Sequence, residues 1–124
     1  PYADAGKFQP FEGSTELVPG IKASSSFGHT PGHTSYVVES KGQKLVLIGD
    51  LMHVASVQFD DPSVTIDFDS DSKAALAQRK AAFADAAKQG YLIGAAHLPF
   101  PALGHLRATG KSYQFVPVNY SIPR

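Results

Sequence analysis

Polar and apolar positions alternate weakly in "GIKASSSF" (20–27), then strengthen into two β-rich runs, "TSYVVES" (34–40) and "QKLVLIG" (43–49), joined at "SKGQ". The pair predicts a hairpin. Near-continuous hydrophobicity in "LVLIG" predicts a strand covered on both faces, and so a layered fold. Residues 70–90, "SDSKAALAQRKAAFADAAKQG", predict an alanine-rich helix with serine and aspartate N-cap candidates and Gly90 as its stop. Leu76, Phe83, Ala84 and Ala87 share one face of it. "YLIGAAH" (91–97) predicts a buried strand ending on His97, and "YQFVPVNYS" (113–121) a last strand interrupted at Pro117. The remaining stretches carry turn signals. Residues 1–20 read as an irregular lead-in, 53–69 as a loop with at most a short strand, and "LPFPALGHLRATG" as a loop.

The length of 124 residues suits one small domain. It opens at Pro1 with no charged n-region and no apolar h-region, so a targeting segment is expected to be absent or removed. Lysine plus arginine and aspartate plus glutamate balance at 11 each with no basic cluster, which argues against a nucleic-acid partner. The longest apolar runs fall far short of the roughly 18–20 residues of a membrane span, so no membrane partner is expected. Cysteine is absent. Any metal must therefore be held by histidine and carboxylate.

Three such side chains stand at strand ends: His33 before "TSYVVES", Asp50 after "KLVLIG" and His97 after "YLIGAA". Strand ends hold side chains rigidly while the adjoining loops leave room for a ligand. Taken singly, each has an ordinary alternative: a loop histidine is more often a hydrogen-bonded structural group, and Asp50 after a glycine can cap a turn. His29, His53 and His105 read closer to that alternative, as loop residues or residues behind the ligands. Phe100 and Leu103 could line an apolar pocket or pack in the core.

In order and spacing, "GHTPGHTSY", "LVLIGD" and "GAAH" resemble the C-terminal three metal motifs of the metallo-β-lactamase superfamily. The stretch from Gly49 to Ser121 is similar to the methyl parathion hydrolase group within it. The resemblance implies an α/β (α+β) class, namely the C-terminal half of an αββα sandwich with a mixed β-sheet and flanking helix. It implies His33 as a ligand of the first metal, Asp50 as a catalytic residue bridging both, and His97 as a ligand of the second, with His29 outside the ligand set. Zinc is the default pair, with manganese, iron or cobalt as alternatives. The implied activity is hydrolysis of a phosphotriester, lactone or similar small ester-like substrate by metal-activated hydroxide, and the implied compartment is periplasmic or secreted.

The superfamily's principal motif, His-x-His-x-Asp-His, occurs nowhere in the sequence. The chain is therefore expected to be one half of a site, inert on its own. A sheet with helices on one side leaves an apolar face that an N-terminal half or a second copy must cover. An association-competent half-domain is the second reading, and a complete non-catalytic binding module the third.

Overall fold

A computed structural model describes residues 1–120. Its single sheet has seven strands in chain order: β1 (Thr15–Val18), β2 (Ile21–Ser25), β3 (Thr34–Ser40), β4 (Gln43–Gly49), β5 (Leu92–Ala95), β6 (Leu103–Thr109) and β7 (Ser112–Pro117). All neighbours run antiparallel except β4 and β5, which are parallel. That pair needs a crossover, and the long helix α2 (Ser72–Gln89) supplies it, after the short α1 (Ala55–Gln58). The sheet is mixed, with α2 on one face, as expected.

The predicted hairpin forms with Ser40 opposite Gln43. Helix α2 begins where Asp71 accepts a hydrogen bond from the Ala74 N–H and ends at Gly90, whose N–H reaches Ala86 O. Asp71→Ala removes the side chain that caps that N-terminus. It is expected to cost about 1 kcal/mol in urea unfolding.

Four local expectations change. The lead-in contains β1, whose apolar Leu17 and Val18 are exposed, so no alternation marked it. Residues 53–69 contain α1 and no strand. The stretch read as a loop after His97 contains β6, which pairs with β5 at Leu103 and Gly104 and with β7 from Gly104 to Thr109. Its outer end, "HLRAT", carries too many polar residues to read as a strand until that pairing is seen. The buried face of α2 is Ala75, Arg79, Phe83 and Ala86, while Ala84 is exposed. The stripe is shifted because a fully buried arginine stands within it. β7 ends at Pro117, and Ser121 lies outside the described residues.

The core lies between α2 and the sheet. Val46, Ile48, Phe59, Phe83, Ile93 and Leu106 form its centre. Phe59 lies 5.1 Å from Phe83 and stacks on Phe115 at 5.7 Å, and Phe83 meets Tyr113 edge-on. Strand alternation sends Tyr36, Val38, Leu45, Leu47 and Leu92 to the other face. Leu47 is 38% exposed there, and no helix among the described residues covers it.

Candidate metal centre

The parallel strands β4 and β5 end at the same edge of the sheet, where the β2–β3 turn also lies. That edge collects histidines and carboxylates. His97 Nε2 is 2.6 Å from Asp50 Oδ1, and His53 Nε2 is 3.8 Å from the same oxygen. The His53 ring lies between two others, with centroids 4.6 Å from His97 and 4.7 Å from His29. His29 Nδ1 in turn is 3.1 Å from Asp69 Oδ1. Two overlapping groups result, Asp50–His53–His97 and His29–His53–Asp69, each with its donor atoms within 4.8 Å of one another.

Of the three residues singled out from the sequence, Asp50 and His97 meet directly. His33 is placed differently. Its Nε2 accepts the Asp50 N–H at 3.0 Å, so that nitrogen is unprotonated and Nδ1 carries the proton, donating to Ser26 O at 3.0 Å with Ser26 Oγ at 2.8 Å. Both ring nitrogens are thus used by the protein, and no lone pair remains for an ion. His33 acts instead as a strut beneath Asp50. Gly49 makes the approach feasible: a Cβ there would fall 2.9 Å from His33 Nε2, and its φ of 54° is left-handed.

His29 has the free geometry that His33 lacks. Its Nδ1 is engaged by Asp69, and no hydrogen bond to Nε2 is found among the described residues. A histidine oriented by a carboxylate behind it has the arrangement of an ordered metal ligand. The loop is held in place where the His29 and Gly28 carbonyls accept the N–H groups of Ser70 and Asp71, at the start of α2. Phe100 is 78% exposed and edge-on to Tyr120 at 5.0 Å, and Leu103 is half-buried in β6 against the position of Gly94. His105 Nδ1 donates to Gly90 O, away from the cluster.

The chemistry of the donor set fits a cation. His53 Nδ1 and Asp69 Oδ2 are buried without a hydrogen-bond partner, a state that costs free energy unless something fills it. Burial, with His97 and His29 adding to it, pushes the His53 imidazole below its ordinary range, while Asp50 and Asp69 act in the opposite sense. His53 is therefore neutral at pH 7 and can donate a lone pair. The site is closed on one side and open on the other: the Asp69 side chain is 1% exposed, those of Asp50 and His97 36% and 45%. A cavity at the opposite edge, lined by Lys44, Gly90, Tyr91 and His105, contains no such grouping.

His53 and Asp69 lay outside the sequence expectation. For His53 the signal was its position three residues after Asp50. Asp69 lies in a polar loop and carried none.

No family model matches the chain. Over 98% of its length it superposes with a TM-score of 0.91, at 39% identity, on a hydrolase of the β-lactamase superfamily called AbOPH, spanning 42% of that protein. The chain has the fold of the metallo-β-lactamase superfamily hydrolases it matches. A second superfamily member, the dizinc quorum-quenching lactonase AidC, superposes over 97% of the chain with a TM-score of 0.87 at 26% identity, and the chain spans 41% of it. An N-acyl homoserine lactonase from Bacillus cereus is 33% identical over 64 residues, which are 52% of the chain and 26% of the lactonase. The chain thus spans less than half the length of each of these superfamily hydrolases.

Proposed function

We propose that the full-length protein is a metal-dependent hydrolase of ester-like bonds, of the lactone type. The convergence of Asp50, His53, His97 and His29 at one sheet edge, with buried donor atoms left unpartnered, carries this reading. The lactonases among its relatives support the bond type. A phosphotriester is the second substrate class to compare.

In this reading two divalent ions, zinc by default, are held by the cluster. Asp50 would bind both, His97 one, and His29 the other, in the role the resemblance gave to His33. Asp69 orients His29 through Nδ1, and His33 holds the backbone of Asp50 through its N–H. When bound, such a pair acidifies water toward neutral pH and polarises the acyl or phosphoryl oxygen under attack. The exposed side of Asp50 and His97 is where the substrate enters.

The chain by itself offers few ligands for two ions and an uncovered sheet face. We infer that a further half of the same protein seats on Tyr36, Val38, Leu45 and Leu47 and completes the ligand set. The coverage of about 42% of AbOPH supports this over a second copy of the chain. The segment 1–124 alone is then inactive.

The test is elemental analysis of the purified full-length protein, together with hydrolysis of an N-acyl lactone, an aryl ester and an aryl phosphotriester. Two metal equivalents are expected, with turnover lost on chelation and regained with zinc. A metal-free protein, or turnover that ignores the chelator, would overturn the reading.

A further inference from the structure

Two polar side chains are completely buried behind the cluster, Gln58 in α1 and Arg79 in α2. Gln58 Oε1 accepts the N–H groups of His53 at 2.7 Å and Val54 at 3.1 Å, and its Nε2 donates to Val64 O at 3.0 Å. Arg79 donates through Nη1 to Leu51 O at 3.0 Å, through Nε to Pro62 O at 2.9 Å and through Nη2 to the same Val64 O at 2.6 Å. Five backbone groups in the segment between β4 and α2 are tied to these two side chains.

We propose that Gln58 and Arg79 form a buried clamp that positions the backbone bearing Asp50 and His53. Both are positioning residues, and their effect on the metal centre rests on the metal reading above. Asp50 is gripped from both sides: His33 accepts its own N–H, and Arg79 holds the carbonyl of the next residue, Leu51. His53 is held through its own N–H.

Packing alone does not explain the pair. A guanidinium buried without a carboxylate in hydrogen-bond contact is costly to desolvate, and an apolar side chain of similar volume often serves stability as well or better. What an apolar side chain cannot do is fix five backbone groups of an irregular segment, those of Leu51 and Pro62 bonded in the interior and those of His53, Val54 and Val64 partly so. The segment's one regular element, α1, is four residues long and has no side-chain cap. Its geometry therefore depends on the clamp.

Hydrogen exchange and zinc affinity in the full-length protein test this. In the metal-free protein, Gln58→Leu should speed exchange at the His53 and Val54 amides about tenfold beyond any change at the core amides Val46 and Ile93. Gln58→Glu gives up the donation to Val64 O but keeps the acceptor for the His53 and Val54 amides, and should retain native exchange at both. By chelator competition, Gln58→Leu and Arg79→Met should weaken zinc roughly 10-fold or more, whereas Gln58→Glu stays near the native value. The clamp is overturned if exchange at His53 and Val54 rises no more than in the core. Freed amides with unchanged zinc affinity overturn its role in positioning the metal centre. If Gln58→Leu does not fold, Gln58→Glu decides: lost protection at His53 and Val54 overturns the clamp and retained protection supports it. A native protein that takes up no zinc overturns the metal reading and the clamp's role in it. The exchange experiment still decides whether the clamp exists.

Discussion

Asp50→Ala in the full-length protein is expected to lower turnover by more than about 100-fold and to release bound metal. The estimate is a floor, because losing even a group behind the ligands costs roughly 10–100-fold in affinity or activity. Asp50 Oδ1 lies within 2.6 Å of His97 Nε2 and 3.8 Å of His53 Nε2, so its removal takes the central acceptor from the open group. Two companion variants separate ligand from strut. His29→Ala should lower metal content as Asp50→Ala does, since Nε2 is the atom it presents. His33→Ala should lower thermal stability and weaken metal binding by less than either ligand variant does, because it orphans the Asp50 N–H and the Ser26 groups but removes no donor to the ion. Metal content and melting temperature, measured on the same preparations, are the readouts. Native metal content in both Asp50→Ala and His29→Ala would reject the ligand set, and loss of metal in His33→Ala with stability intact would return His33 to it.

Gly28→Ala is expected to destabilise the protein by about 3 kcal/mol, and to weaken metal binding through His29. The residue has a φ of 136°, a region that L side chains rarely adopt, and a Cβ would fall 2.2 Å from Ala75 N and 2.5 Å from Ala75 Cα. Backbone cannot rotate aside as a side chain can. Overpacking costs typically 1–3 kcal/mol, and a strained backbone conformation adds roughly 1–3 kcal/mol. To relieve the clash the loop must lift from the start of α2, breaking the hydrogen bonds from Asp71 N–H to Gly28 O at 2.8 Å and from Ser70 N–H to His29 O at 3.1 Å. His29 then moves off Asp69. Urea unfolding with and without zinc measures both effects. A variant with native stability would show that the loop does not bear on the helix as described.

The β3–β4 hairpin, the helix ending at Gly90 and the strand before His97 were all legible in the sequence, because each depends on interactions close along the chain. Alternation, alanine content, an N-cap aspartate and a C-terminal glycine act over one or two turns. The placing of Asp50 and His97 at one sheet edge was legible for the same reason, since each follows a strongly apolar strand. β1 and β6 were not. Their apolar residues are sparse, and what makes them strands is pairing with β2, β5 and β7, which a local pattern does not contain. The face of α2 was misread because Arg79 looks like a surface residue until carbonyls from residues 51, 62 and 64 surround it. The two histidines of "GHTPGH" show the limit most clearly. They are four residues apart in the same kind of loop, and nothing local assigns their roles. Only folding brings Asp69, 40 residues later, behind His29, and the Asp50 N–H, 17 residues later, onto His33. A ring nitrogen has one lone pair or one proton to offer, so the partner that tertiary structure delivers decides which histidine can face an ion and which can only hold the frame.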